Sequence, residues 1–102
     1  MMTSNQPVLN LLGIARRAGS LISGEETVLK AIRSKKTFLV FISADAGNAT
    51  SKKFKDKCQF YEIKYDMTFD KQQLNQATGQ ARTVYGVTQE GFARKFKELL
   101  QM

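Results

Sequence analysis

The chain has no histidine, no tryptophan, one proline and a single cysteine, Cys58, among its 102 residues. Without histidine or a second cysteine it cannot form a disulfide framework, a Cys/His zinc site or a histidine-activated nucleophile. The glycine motifs GxGxxG and GxxxxGK[ST] are also missing, so nucleotide binding and hydrolysis have no support. We therefore predict no catalytic residue, no metal site and no cofactor, and we expect Cys58 to be a buried apolar residue.

Long apolar runs are missing as well. The only candidate, Thr37–Ser43, is far shorter than the roughly 20 residues that cross a bilayer, so we expect no membrane partner. The first residues lack the basic and then apolar pattern of a secretory signal, which predicts a cytoplasmic protein. The 42% of apolar residues is enough for a packed interior, and the length suits one domain over residues 1–102, which we expect to be a monomer.

Positive charge is what the chain has in excess. Sixteen Lys and Arg face nine Asp and Glu, which gives a formal charge of +7 and a pI near 9.8. A field of this sign attracts polyanions, and the lack of a membrane signal favours nucleic acid over an acidic membrane. The lysines within residues 52–57 are expected to form an ordinary solvated helix face.

A second group of basic residues surrounds a predicted helix that opens at Gly24. Lys30 lies about 9 Å along that helix from Gly24, Arg33 follows, and the pair Lys35–Lys36 comes after the helix. A helix N-terminus attracts negative charge, and a glycine there lets a phosphate or a base approach the backbone closely. This helix start is therefore the predicted nucleic-acid site.

Helical and strand patterns alternate along the chain, which predicts a partly parallel sheet with helices on both faces. The five consecutive apolar residues inside Thr37–Ser43 predict a central strand covered on both sides. Ser23 and Glu26 have the form of a capping box, and Asp45 is expected to fasten the 44–48 loop through its side chain. The predicted helices begin near Val8, at Gly24, at Asn48 (ending at Cys58), at Asp70 (ending at Thr78) and at Thr88; the other strands are Leu21–Ile22, Phe60–Tyr65 and Arg82–Val87.

Three short motifs in a fixed order carry a resemblance to a known family. They are GEETVLKA at Gly24–Ala31, Ser-Ala-Asp at Ser43–Asp45, and LNQATG at Leu74–Gly79. In this order and at this separation they resemble the kink-turn-binding ribosomal-protein family of the L-seven-Ae and L-thirty-e type, and its small bacterial members above all. The resemblance implies an α/β fold, a three-layer α/β/α sandwich with a four-stranded mixed sheet.

The resemblance also implies an RNA-binding edge made of the Gly24 helix start and the loop at residues 80–82. In the family an Asn and a Glu of the first motif contact sheared guanines of the kinked RNA, and a Lys adds polar and phosphate contacts. Here Gly24 and Lys30 match the pattern, whereas Glu26 replaces the Asn and Thr27 replaces the Glu. Asn75 replaces a glycine of the later motif. The predicted RNA-binding residues are Gly24, Glu26, Thr27, Lys30, Arg33, Gln80, Ala81 and Arg82.

We therefore predict a non-enzymatic, structure-specific RNA-binding protein that recognises a kink-turn or a similar bulged RNA and associates with the ribosome. Glu26 weakens this prediction, because ionised Glu only accepts hydrogen bonds whereas Asn both donates and accepts. The alternative is a protein-interaction or ribosome-assembly module of the same fold that has lost kink-turn specificity.

Overall fold

Nine helices and strands alternate in the computed structural model, which describes residues 5–102. They are α1 (Asn5–Arg17), β1 (Leu21–Ser23), α2 (Glu25–Arg33), β2 (Leu39–Ile42), α3 (Asn48–Phe60), β3 (Lys64–Asp66), α4 (Lys71–Thr78), β4 (Val84–Val87) and α5 (Glu90–Leu100). The Cα atoms have a radius of gyration of 12.2 Å. Of the helices within this described part, none is both long and apolar enough to cross a membrane.

The four strands form one mixed sheet in the order β1-β4-β2-β3. The last strand in sequence, β4, lies between β1 and β2 and is antiparallel to both, while β2 and β3 are parallel. Every residue of β2 and of β4 is buried, because both strands are central and covered on both faces. The predicted α/β fold with a four-stranded mixed sheet is confirmed.

Helices cover both faces of the sheet and define two apolar cores. Leu39 and Phe41 of β2 point to the side of α1, α4 and α5, where the Phe41 ring meets Phe96 edge to face at 5.1 Å between centroids. Val40 and the fully buried Cys58 belong to the second core, beneath α2 and α3. Burial raises the pKa of the Cys58 thiol to about 12, so the thiol is protonated and the expectation of a buried apolar residue is confirmed.

Two predicted boundaries around α3 are wrong. Gly47, not Asn48, is the N-cap, and Asn48 is already helical. The helix continues through Phe60, which had been assigned to a strand, and the chain leaves it through Glu62 in the left-handed conformation (φ 59°). The Ile63 N–H then donates to the Cys58 carbonyl at 2.8 Å, a hydrogen bond typical of helix ends. Because of this helix end, the strand begins only at Lys64.

The ends of other elements also differ by a few residues. The Thr37 hydroxyl donates to the Val87 carbonyl at 2.9 Å and lies just outside β2, and α5 begins at Glu90 rather than at Thr88. Asp45 does not fasten its own loop as predicted. Its Oδ1 accepts the Lys71 N–H at 3.0 Å and so ties the segment after β2 to the start of α4.

Candidate nucleic-acid interface

Gly24 forms the sharp turn between β1 and α2. Its φ of 96° and ψ of 146° lie in a region that is essentially restricted to glycine. Its N–H donates to the Val84 carbonyl at 3.0 Å, and its own carbonyl accepts the Val28 N–H at 3.0 Å. Gly24 is therefore the N-cap of α2.

The predicted capping box of Ser23 and Glu26 is wrong. Ser23 is the last residue of β1 and pairs with Tyr85 of β4, so it is committed to the sheet rather than to the helix start. Within residues 5–102 no side chain forms a cap hydrogen bond at the N-terminus of α2. The first-turn amides are therefore available to an outside group, although the carboxylates of Glu25 and Glu26 already offset part of the positive charge at this end of the helix.

The loop of residues 79–83 lies directly beside this helix start. Gly79 ends α4 in the left-handed conformation (φ 73°), and β4 begins at Val84, next to Gly24. A Cβ atom placed on Gly24 would be 3.8 Å from Arg82 Nε. The two predicted segments therefore share one edge of the molecule, which we call the Gly24–Arg82 edge.

The buried hydroxyl of Tyr85 contacts this loop and the helix α4 that precedes it. The Tyr85 hydroxyl lies 2.9 Å from Asn75 Oδ1 and 3.1 Å from the Gln80 carbonyl, and the Thr78 hydroxyl is 3.2 Å away. Asn75 Oδ1 also accepts the Arg82 N–H at 3.1 Å. The sequence interpretation treated Asn75 only as a departure from the family and did not single out Tyr85. The available signal was a tyrosine within the otherwise apolar strand β4.

The structure gathers most of the predicted RNA-binding residues at the edge. Glu26 and Thr27 are exposed in the first turn of α2, and Lys30 follows one turn later on the same side as Glu26. Gln80, Ala81 and Arg82 lie in the adjoining loop. Arg33 is the exception, because it ends α2 about 13 Å along the helix axis from Gly24.

Charges at the edge are mainly positive. Glu25 points towards α3, where Lys53 Nζ lies 3.4 Å from its Oε1 and the Thr50 hydroxyl donates to its Oε2 at 3.4 Å. No ion pair to Lys30 or Arg82 forms within the described residues, so both cations stay available. Glu26 is the acidic side chain that remains beside them.

The edge consists of groups that can bind a ligand through charge and hydrogen bonds. Across residues 5–102 no group of three His, Cys, Asp or Glu side chains could hold a metal ion. The only thiol, Cys58, is buried in the second core and protonated. What the edge offers is helix amides, two cations and an ordered loop, a combination suited to phosphates and exposed bases.

Known proteins share this architecture. The Ribosomal protein L7Ae/L30e/S12e/Gadd45 family matches residues 6–97. The RNA-binding protein YlxQ of Enterococcus faecium is 42% identical over 98 residues, which cover 96% of this chain and 95% of that protein. A Bacillus halodurans C protein of unknown function superposes with a TM-score of 0.88 at 43% identity, covering 93% of this chain and 97% of that one. The Giardia lamblia 15.5kD RNA binding protein has the same fold, with a TM-score of 0.80 at 18% identity and coverage of 96% and 88%.

Proposed function

Because the chain belongs to the ribosomal protein L7Ae/L30e/S12e/Gadd45 family, we propose that it is an RNA-binding protein that recognises a kink-turn or a similar bulged RNA and acts at the ribosome. The observation that carries the proposal is the approach of Gly24 to Arg82, with 3.8 Å between a Cβ on the former and Nε of the latter. Family membership supports binding rather than catalysis as the activity. We also propose that it acts in the cytoplasm as a monomer.

The chemistry of the Gly24–Arg82 edge suits a bent RNA. The major groove of regular A-form RNA is too narrow for side chains, and a bulge that kinks the helix opens it. The uncapped amides of α2 can then face phosphates, and Glu26 can accept a hydrogen bond from a guanine amino group. The loop at Gln80–Arg82 supplies small side chains and a cation against bases that leave the stack.

A direct comparison of two RNAs tests this proposal. One is a duplex with a three-nucleotide bulge beside tandem sheared G·A pairs, and the other is a plain duplex of the same length. We expect the bulged RNA to bind more tightly at low and at high salt in fluorescence anisotropy titrations. Equal affinities, both falling steeply with salt, would indicate a generic polyanion binder and contradict the proposal.

Lys30→Ala tests the edge itself. If Lys30 contacts a base, the substitution should weaken binding of the bulged RNA by about 1–3 kcal/mol, and less if it contacts one phosphate. Lys97→Ala is the matched control, because it removes the same charge from α5 on the opposite face of the sheet. Equal losses in the two variants would remove Lys30 from the site.

A second candidate function keeps the fold but changes the partner. Glu26 and Thr27 replace the Asn and Glu that the family uses to contact guanines, which favours a protein-interaction or ribosome-assembly module. The ratio of absorbance at 260 and 280 nm distinguishes these two functions. The chain has no Trp and three Tyr, so the protein absorbs weakly at 280 nm and bound nucleic acid raises the ratio clearly. Purified protein that carries nucleic acid supports the first function, and protein free of it under low salt supports the second.

A further inference from the structure

A groove extends from the Gly24–Arg82 edge along the side of α2 that faces β1. Its cavity volume is about 710 Å³. We call it the α2–β1 groove. Its lining residues are Ile22, Thr27, Lys30, Ala31, Ser34, Lys35, Lys36, Phe38 and Thr88. Thr27 and Lys30 belong both to the groove and to the predicted RNA-binding set, so the two surfaces are continuous.

The groove combines an apolar floor with a cationic rim. Ile22 and Phe38 are half-buried and contribute to the floor, while Lys30, Lys35 and Lys36 are exposed. None of its lining residues, all within the described part of the chain, is acidic. An anionic ligand with a flat apolar group fits this combination, and a nucleotide has both features.

The backbone at the end of α2 places two of these lysines. Lys35 is in the left-handed conformation with φ 56°, where glycine is the usual residue. Its N–H donates to the Ile32 carbonyl at 3.1 Å, and the Lys36 N–H donates to the Ala31 carbonyl at 2.8 Å. A glycine at position 35 would adopt this conformation without strain. The lysine that is present instead places a positive charge on the rim of the groove.

We propose that the α2–β1 groove binds a single-stranded RNA segment that flanks the bulge, with one unstacked base on the Ile22 and Phe38 floor and phosphates beside Lys35 and Lys36. This inference rests on the proposed function and extends its ligand beyond the bulge. An RNA strand is favoured over an acidic peptide because the groove shares Thr27 and Lys30 with the predicted RNA-binding surface. The hydroxyl groups of Thr27, Ser34 and Thr88 can also accept hydrogen bonds from base edges.

Four RNAs test the groove separately from the bulge: bulged and plain duplexes, each with and without a short single-stranded extension on either end. One base stacked in the groove should raise the affinity of the bulged RNA about 5- to 150-fold when the extension is present. Lys35→Gly should reduce the affinity of the extended RNA, because a phosphate contact is lost, and should lower its salt slope by about 0.7. Because this substitution relieves a left-handed residue, it should not unfold the protein.

Two control variants separate charge from backbone. Gln101→Gly relieves the same conformation (φ 58°) at the end of α5 without a change of charge, so it should leave RNA binding unaltered. Lys97→Ala removes one positive charge on the opposite face of the sheet and reports non-specific attraction.

The outcomes distinguish the two proposals. The groove assignment is overturned if the extension adds no affinity. It is also overturned if Lys35→Gly weakens binding of the extended RNA no more than Lys97→Ala does. Either result would stand even if the protein prefers the bulged RNA to the plain duplex. If the extension gain persists while bulged and plain duplexes bind equally, the groove stands and kink-turn recognition fails. If an oligo-glutamate peptide binds in the groove and the RNA extension does not, the groove belongs to a protein partner. That result would also overturn the inference.

Discussion

Removal of one buried hydroxyl should loosen the loop of residues 79–83 without disturbing the core. In Tyr85→Phe the ring stays fully buried between the layers, and only the contacts of the hydroxyl to Asn75, Gln80 and Thr78 are lost. Two of the three freed groups keep another partner. Asn75 Oδ1 still accepts the Arg82 N–H, and the Thr78 hydroxyl still donates to the Leu74 carbonyl at 2.9 Å.

The magnitude follows from counting those contacts. The hydroxyl can donate one hydrogen bond and accept another, and each is worth about 0.5–1.5 kcal/mol net. Because Asn75 and Thr78 keep other hydrogen bonds, the free energy of unfolding should fall by about 1–2 kcal/mol, towards the lower half of that sum. The Gln80 carbonyl loses its anchor, so binding must now order the loop, and affinity for bulged RNA should fall by about 1 kcal/mol.

Urea unfolding followed by far-UV circular dichroism measures the first effect, and anisotropy titration with the bulged RNA measures the second. Tyr65→Phe is the matched control, since Tyr65 is half-buried on β3 at the opposite edge of the sheet from β1. A Tyr85→Phe protein that is less stable but binds the bulged RNA like the wild type would refute the role of the loop. Unchanged stability would refute the hydrogen-bond network itself.

Three further substitutions test other parts of the structure. Gly24→Ala should lower the free energy of unfolding by about 1–3 kcal/mol in urea titrations, because φ 96° with ψ 146° is strained for any residue with a Cβ; stability equal to the wild type would contradict this backbone geometry. The double variant Glu26→Asn and Thr27→Glu restores the family pair and should tighten binding of the bulged RNA by about 1–3 kcal/mol in anisotropy titrations without tightening that of the plain duplex. For Cys58, the pKa of about 12 in the folded protein exceeds the ordinary 9.0, so the folded state retains a proton that the unfolded chain releases between those pH values. Stability should therefore fall as pH rises through that window, and the advantage of the wild type over Cys58→Ala should shrink by about 1.4 kcal/mol per pH unit; a constant difference would contradict the raised pKa.

The alternation of helices and strands could be read from the sequence because its signals are local. The apolar run around β2 and the 3.6-residue spacing of α5 each lie within a dozen residues. The order of the strands could not be read from the sequence, because β1 and β3 are only three residues long and the strands that they pair with lie far along the chain. Nothing local to Val84–Val87 shows that it separates β1 from β2.

The failure of the predicted capping box at Ser23 has the same cause. Ser23 and Glu26 have the right spacing for a capping box, but Ser23 is held in β1 by its pairing with Tyr85, and Gly24 makes the turn in its place. At Asp70 no strand competes, and there the side chain does cap α4 by accepting the Gln73 N–H at 2.9 Å. A local motif decides the boundary only where long-range pairing leaves it free.

Much of the candidate site followed from the resemblance, and the coordinates supplied what holds it together. The sequence interpretation joined the Gly24 helix start to the loop at residues 80–82. The link between Asn75 and Tyr85 was out of reach, because the two are ten residues apart in different elements and meet only after α4 packs on the sheet. The same holds for the α2–β1 groove, whose lysines had been grouped with the helix start rather than with Ile22.

The position of β4 in the sheet has a consequence for how the protein is made. β1 and β2 are not neighbours in the sheet, because each of them pairs with β4, which comes after both in the chain. These two strands therefore cannot be joined into one sheet until the ribosome has synthesised Val84–Val87. The Gly24–Arg82 edge cannot form on a nascent chain before that point, so a ligand of this edge can bind only a chain that has been translated beyond β4.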